Sequence, residues 1–321
     1  MSSLLDYCND FEKQSFSPNQ EIIVQGENSK TVYVLIKGEL DICVNEKLIS
    51  SLSAPGTVIG EISALLDVKR TTTVRATEAC EFYLIPDVFK LFETDIEASL
   101  ELTKAEFCRL ILLTELLLHL KESFLQTAEH VGLDLTQIPV FNDYMKQWKD
   151  SQEETAAKYP FILETDLEEA VELNLKPGDI VFNEGECIDK FYALKQGVVT
   201  YTRKDQAFSF DISTPGTVLN VGHSLVPFDT ILTATVKEPT VLMQVDNVSN
   251  LFTNHYSAGF ELLRQVAQRI VLLTGTFAEM KEKFFHIDKN IDPELRDKMQ
   301  QLVDFLIEKE KSIQEAIFRN S

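Results

Sequence analysis

The segment FSPNQEIIVQGE at residues 16–27 returns in altered form as LKPGDIVFNEGE at residues 175–186. Three anchor residues recur 159 positions later: Pro18, Gly26 and Gly38 become Pro177, Gly185 and Gly197. After a one-residue insertion, PGTV at 55–58 recurs at 215–218, and RLILLT at 109–114 returns as RIVLLT at 269–274. Because order and spacing hold from residue 16 to residue 114, the chain contains one domain twice.

Each copy has the sequence pattern of a small antiparallel β structure. Short runs such as TVYVLI at 31–36 and EFYLI at 81–85 are typical of strands, and turn pairs with Pro or Gly separate such runs at roughly ten-residue intervals. A helical region follows each set of strands, at about 87–128 and 247–285. We therefore predict an α+β, mainly β, fold. It would contain two antiparallel β-roll or jelly-roll barrels, each followed by a long C-terminal helix, plus a C-terminal amphipathic helix.

The repeat and the changes in composition predict four segments. Residues 1–128 and 163–285 would be the two domains, 129–162 a polar connector, and 286–321 a helical tail with amphipathic spacing.

The two long helices carry an apolar stripe with the spacing of a coiled-coil seam. Its members are Leu110, Leu113, Leu117, Leu120 and Phe124 in the first copy, and Ile270, Leu273, Phe277, Met280 and Phe284 in the second. Each stripe either covers its own barrel or packs on a partner helix. We favour the two seams meeting within one chain, as an internal pseudo-dimer in a monomer, and a homodimer is the alternative.

The charge balance argues against two classes of partner. The 51 acidic side chains outnumber the 30 basic ones, for a formal net charge of −21. Nucleic acid and anionic membrane both need a basic surface, so we expect neither as a partner.

The five cysteines form no C-x-x-C pair, and the N-terminal residues lack the pattern of a signal peptide. The apolar stretch near 110–120 is too short and too polar to span a bilayer, so we expect a cytoplasmic protein without a metal site.

One segment of the first copy has residues suited to phosphate binding. GEISALL at 60–66 lies shortly before RTTTVRA at 70–76, and an F-x-P-x-x-x-I-x-x-x-G pattern precedes both. This combination resembles the cyclic-nucleotide-binding domain family, which includes the bacterial catabolite activator protein and the regulatory subunits of cAMP-dependent kinase. The resemblance covers residues 16–128 well and 175–285 more weakly. It implies a phosphate-binding cassette containing Gly60, Glu61, Ile62, Ser63, Ala64, Arg70 and Thr71.

The chemistry of a cyclic nucleotide accounts for these residue types. Gly60 lets the backbone approach the ligand without a β-carbon in the way. If Glu61 opens a short helix, the amides of its first turn can point at the phosphate. Arg70 offers a planar charged fork for the phosphate oxygens, and Thr71 adds a hydroxyl. Family similarity assigns the ribose 2′-hydroxyl to Glu61.

Two other interpretations concern the arginines of this segment. Glu61 and Arg70 could form a salt bridge with each other across an empty cassette. Arg75 fits an outward strand position better than a second phosphate-binding position.

The second copy lacks the polar groups of the cassette. At an offset of 160, Gly60, Glu61, Arg70 and Thr71 become Asn220, Val221, Thr230 and Ile231. Burying a phosphate without a cationic partner costs several kcal/mol at least. We predict one working site and one pseudo-site, with His223 as an ordinary loop residue.

Base recognition is assigned by resemblance to the long helix. In the catabolite activator, hydroxyls on this helix contact adenine at the position where Thr114 falls here. Thr114 with Glu115, joined by Thr274 or Thr276 from the paired helix, would cap the base. cAMP is the favoured ligand and cGMP the second choice.

The remaining sequence indicates a receptor. The five histidines lie far apart without metal-ligand spacing or a nucleophile motif, so we predict no enzymatic activity. The 286–321 tail is too short and not basic enough for a helix-turn-helix module. By elimination, we predict a receptor that signals through helix repacking to an unidentified effector protein. A ligand-independent scaffold with two such barrels and a kinase regulatory subunit are the alternatives.

Overall fold

The computed structural model describes residues 4–130, 149–150, 153–158, 161, 170–204, 209–221, 224–226, 228–246 and 248–286. The chain divides into two compact units: residues 1–102, 112–141 and 273–321 form one, and residues 103–111 and 142–272 form the other. The segment boundaries expected from the sequence stay a prediction. The predicted tail helix and most of the predicted connector lie outside the described residues, as do the side chains at the far end of each predicted seam.

The first copy folds into two four-stranded antiparallel sheets, which we call the first roll. Its strands are β1 (Lys13–Phe16), β2 (Glu21–Ile23), β3 (Val32–Lys37), β4 (Leu40–Val44), β5 (Lys47–Leu52), β6 (Val58–Ile59), β7 (Thr73–Ala76) and β8 (Cys80–Ile85). The strand orders are β1-β8-β3-β6 and β2-β7-β4-β5. Its helices are α1 (Leu4–Tyr7), α2 (Glu61–Leu66), α3 (Val88–Thr94) and α4 (Ile96–His130).

The second copy repeats this topology and forms the second roll. Its strands are β9 (Ala170–Leu175), β10 (Ile180–Phe182), β11 (Phe191–Gln196), β12 (Val199–Thr202), β13 (Ser209–Ile212), β14 (Val218–Leu219), β15 (Thr233–Val236) and β16 (Thr240–Val245). The strand orders, β14-β11-β16-β9 and β10-β15-β12-β13, match those of the first roll strand for strand. The helices α5 (Val248–Asn254) and α6 (Tyr256–His286) follow. The predicted fold of two antiparallel rolls with C-terminal helices is confirmed.

An aromatic cluster forms the centre of the first roll. Phe82 is fully buried on β8, and the rings of Phe16 and Tyr33 meet it edge-on at centroid distances of 5.7 and 5.9 Å. Burying one such ring contributes about 1.5–3 kcal/mol, and edge-to-face geometry adds to it. The cluster packs strands β1, β3 and β8 together.

Each predicted helical region is divided in two. In the first copy, Asp95 adopts an extended conformation between α3 and α4, and its carboxylate accepts from the amide of Ala98 at 3.0 Å. The aspartate therefore ends one helix and caps the next.

None of the helices that the structure describes is long and apolar enough to cross a membrane.

Candidate functional site

The first cassette, residues 60–71, begins with a glycine in the left-handed region. Gly60 has φ +86°, and α2 starts at Glu61, which meets the condition set for the amides of its first turn. A β-carbon at Gly60 would lie 2.6 Å from Nη1 of Arg70 and 2.9 Å from the carbonyl oxygen of Thr31. The sequence explained this glycine by approach of a ligand; in the structure, the guanidinium of Arg70 occupies the space that a side chain would need.

Arg70 is the central group of the cassette and is 4% exposed. Its Nη1 donates to the carbonyl oxygen of Gly60 at 2.6 Å and to Oγ of Ser63 at 2.8 Å. Its Nη2 donates to Oγ of Ser29 at 3.0 Å and to the carbonyl oxygen of Thr31 at 2.5 Å. All four acceptors are uncharged, so the hydrogen bonds orient the guanidinium without neutralising it.

The charges around Arg70 act at longer range. Burial lowers the pKa of Arg70, while Tyr33, Glu61 and Glu27 raise it in that order. Glu61 is 1% exposed and acts on Arg70 through its charge; it is not one of the four hydrogen-bond acceptors. The salt bridge that was the other interpretation of this pair is not among the four hydrogen bonds of Arg70.

The first turn of α2 makes hydrogen bonds within the cassette. The hydroxyl of Ser63 donates to the carbonyl oxygen of Gly60 at 3.0 Å, and the amide of Ala64 donates to the same oxygen at 3.4 Å. Ile62 is buried and Thr71 is half-buried. The structure thus brings Gly60, Ser63 and Arg70 into direct contact.

The predicted base-binding residues lie on α4. Thr114 is buried and Glu115 is half-buried. Thr274 and Thr276 are half-buried on α6. A role for these four residues at a base stays a prediction.

Sequence reasoning missed two contributors to the site. Ser29 and Thr31 precede β3 and supply both acceptors of one guanidinium nitrogen. The amide of Arg70 donates to Glu27 and the amide of Gly26 donates to Arg70, so the two loops are held side by side. The repeated glycine at 26 marks this loop, but the sequence does not reveal that it meets residue 70.

Arg75 is a surface residue, as predicted. Its Nη2 lies 2.9 Å from Oε1 of Glu21, and both side chains are about two-fifths exposed. The prediction of an outward strand position is confirmed.

The second cassette, residues 220–231, keeps the backbone of the first and replaces its side chains. The amides of Gly185 and Thr230 make the same pair of bonds between loops, at 2.7 and 2.9 Å. Asn220 is left-handed with φ +59°, like Gly60. Its Nδ2 donates at 2.8 Å to the carbonyl oxygen of Lys190, the residue at the repeat position of Thr31. A side-chain amide thus makes a hydrogen bond that Arg70 makes in the first copy.

Thr230, at the repeat position of Arg70, makes two hydrogen bonds to a neighbouring loop. Its hydroxyl donates to the carbonyl oxygen of Asn183 and accepts from the amide of Glu186 at 3.2 Å. His223 lies outside the described residues. In the described ranges, no group of three or more His, Cys, Asp or Glu side chains is placed to hold a metal ion.

Comparison with known proteins finds a family for the segment that contains the first cassette. Residues 13–95 match the family described as Cyclic nucleotide-binding domain, so the resemblance expected from the sequence is confirmed for the first roll. A cGMP-dependent protein kinase of Drosophila melanogaster is 25% identical over 185 residues, which are 58% of this chain. Those residues cover only 13% of the kinase.

Two solved structures share features of the fold. The regulatory subunit of a cAMP-independent protein kinase A from Trypanosoma brucei is 14% identical with a TM-score of 0.31, over 91% of this chain and 85% of that chain. The regulatory domain of Toxoplasma gondii PKA, crystallised with cAMP, is 13% identical with a TM-score of 0.26, over 79% and 84% of the respective chains. At these TM-scores, neither structure supports an inference about function.

Proposed function

We propose that the first roll binds one cyclic nucleotide, cAMP with cGMP as the second choice, and that Arg70 neutralises its phosphate. The observation that carries this proposal is a buried guanidinium whose four acceptors are all neutral. A cation in a site of low dielectric constant gains more from an anion than a solvated one does. The match of residues 13–95 to the cyclic nucleotide-binding domain family supports the same ligand class.

Phosphate binding at Arg70 is an exchange of hydrogen bonds. The two terminal nitrogens already have two acceptors each, and two of these acceptors are the hydroxyls of Ser63 and Ser29. When a serine oxygen gives up its N–H, that N–H of Arg70 can donate to a phosphate oxygen instead. The Ser63 hydroxyl can join in only by turning its hydrogen from the carbonyl oxygen of Gly60 to the phosphate. The two carbonyl acceptors keep the guanidinium in place while its charge pairs with the ligand.

The other cassette residues have the roles implied by the resemblance. Glu61 accepts from the ribose 2′-hydroxyl, Thr71 donates to the phosphate, and Ile62 and Ala64 line the site. Thr114 and Glu115 on α4 cap the base.

The second roll does not bind a cyclic nucleotide in this proposal. Asn220 takes the hydrogen bond to the loop carbonyl, and Thr230 carries no charge. We therefore expect one ligand per chain.

Isothermal titration with cAMP and cGMP tests the proposed site. Arg70→Gln should weaken binding at least about 100-fold, because charge-assisted hydrogen bonds to the phosphate are lost. Arg75→Gln removes an exposed arginine of the adjoining strand and should leave the affinity unchanged. Equal affinity of Arg70→Gln and the unaltered chain would contradict the proposal. No binding of either nucleotide would favour the ligand-independent scaffold.

We further propose that the chain is a non-enzymatic cytoplasmic receptor whose occupancy is read by an effector protein. The similarity to a cGMP-dependent protein kinase favours a kinase as that effector, in which case the chain acts as a regulatory subunit. Co-purification of kinase activity with the tagged chain, released by the nucleotide, is the expected result. A partner without kinase activity would exclude the regulatory-subunit alternative.

A further inference from the structure

A second buried arginine lies in the second roll. Arg269, on α6, is 7% exposed, and its Nη2 donates to the carbonyl oxygen of Val218 at 2.8 Å. Its Nε is buried and has no hydrogen-bond partner among the described residues. Burial lowers the pKa of Arg269 to about 10, and nearby Tyr201 opposes that change. The side chain is therefore still a cation at neutral pH.

In the first copy a carboxylate lies beside the corresponding arginine. Arg109, at the repeat position of Arg269, lies 3.4 Å from the carboxylate of Glu106, three residues earlier on α4. The residue three positions before Arg269 is Val266. In the described part of the chain, no carboxylate pairs with Arg269. An unpaired buried charge costs several kcal/mol, so compensation from outside the described residues is expected.

An unsatisfied acceptor belongs to the same region. Oδ1 of Asn220 is buried without a hydrogen-bond partner, while Nδ2 of this residue is bound to Lys190. Asn220 follows β14, the strand whose Val218 accepts from Arg269. Tyr201 lies near both groups: burial raises the pKa of its hydroxyl, while the charge of Arg269 and the backbone of Asn220 lower it. Buried donors and acceptors in native proteins are nearly always satisfied.

We propose that the second roll binds a small oxyanion that carries a hydroxyl, at a site formed by Arg269 and Asn220. The anionic oxygen accepts from Nε of Arg269, and the hydroxyl donates to Oδ1 of Asn220. Hydrogen phosphate and organic phosphate monoesters have both groups. The cation comes from helix α6 and not from the cassette loop, so this site is independent of the cyclic-nucleotide site proposed for the first roll.

A buried water molecule is the competing explanation. One water could satisfy both hydrogen bonds, but it would leave the charge of Arg269 uncompensated. The two occupants differ in their response to added anion, since only a bound anion stabilises the folded state by mass action.

Thermal unfolding with inorganic phosphate tests the proposal. The experiment uses the full chain with Arg70→Gln, so that the first cassette does not contribute. Phosphate should raise the Tm of the second roll by roughly 5–10 °C at a hundredfold excess over its Kd. Sulfate, which has no hydroxyl at neutral pH, should act more weakly, and chloride at equal ionic strength should have no effect.

Three variants assign the response to Arg269. Adding Arg269→Gln should abolish the phosphate effect. Arg264→Gln, a partly exposed arginine on the same helix that pairs with Glu261, should retain it. Val266→Glu restores the carboxylate found in the first copy and keeps the cation, so it should also abolish the effect. If Arg269→Gln does not fold, Val266→Glu still tests whether Arg269 binds the anion.

The desalted chain should also release phosphate or a phosphate ester when it is unfolded, as detected by ³¹P NMR. Absence of both a released anion and a phosphate response would overturn the proposal and favour the buried water. A response that persists in Arg269→Gln and Val266→Glu would overturn it as well.

Discussion

Arg70 and Arg269 are two buried cations with different surroundings. Arg70 has four neutral acceptors that fix both terminal nitrogens of its guanidinium. Arg269 has one carbonyl acceptor and a buried Nε without a partner. The first arrangement presents an oriented fork, while the second leaves part of the hydrogen-bonding capacity unused. Residue type alone would not distinguish these two environments.

Gly60 provides a test of how tightly the guanidinium of Arg70 is held. Gly60→Ala should lower the free energy of unfolding by about 1–3 kcal/mol and weaken cAMP binding, because a β-carbon would displace Arg70. Gly26→Ala is the matched control: its φ is +88°, but nothing lies within 4 Å of the added atom. Urea unfolding and nucleotide titration of both variants measure the difference.

The control separates backbone strain from the steric clash between the added β-carbon and Arg70. Both alanines must adopt a positive φ, so the strain is shared. Equal losses of stability and affinity in the two variants would show that the contact with Arg70 is unimportant.

At the scale of elements, the two cassettes share a backbone frame but differ in helix formation. In the first copy, the six residues of α2 are all buried. In the second, the described residues 221 and 224–226 form a turn and bends. The sequence there contains Gly222 and Pro227, which both disfavour a helix. The strands on either side tolerate this change, because their pairing does not depend on α2.

The conserved frame predicts that the second cassette can be converted. The combined change Asn220→Gly, Val221→Glu, Gly222→Ile, His223→Ser, Pro227→Asp, Thr230→Arg and Ile231→Thr, which copies the first cassette, should add a second cAMP-binding event in calorimetry. The hydrogen bonds that join residues 185, 186 and 230 already place position 230 as Arg70 is placed.

Asn220 is the position that we expect to prevent binding in the converted cassette. The same variant with Asn220 retained should not bind, because the amide occupies the loop carbonyl that the new arginine needs. Binding by both versions would show that Asn220 does not block the site.

At the scale of the molecule, the proposed function assigns different tasks to the two copies. The first roll keeps the cassette that suits a cyclic nucleotide, and the second keeps the topology with another polar set. A ligand shifts a conformational equilibrium only through different affinities for the two states. The proposed contact between the base and Thr114 would provide that difference, since it couples the nucleotide to α4.

Hydrogen exchange tests this coupling. Saturating cAMP should slow amide exchange in α2 and in residues 97–128, and change it in residues 257–285. The Arg70→Gln variant should show no change at the same concentration. Unaltered protection of residues 97–128 at saturation would exclude signalling through α4 and leave nucleotide binding itself intact.

Much of this protein could be predicted from residue order. The repeated Pro and Gly positions revealed two copies, since turns need those residues wherever the backbone changes direction. The alternating apolar runs predicted the rolls, and the spacing from Gly60 to Arg70 predicted the cassette. These features are local, so a linear pattern records them. The division of each helical region was missed, because its signal is a single residue, Asp95 in the first copy and His255 in the second.

The contacts made by the buried arginines could not be predicted in this way. Ser29 lies 41 positions from Arg70, and Val218 lies 51 positions from Arg269. Whether a guanidinium is surrounded by carbonyls, hydroxyls or a carboxylate depends on which loops the folded sheets bring together. Charge compensation is a property of that three-dimensional environment, and it is what distinguishes the two rolls.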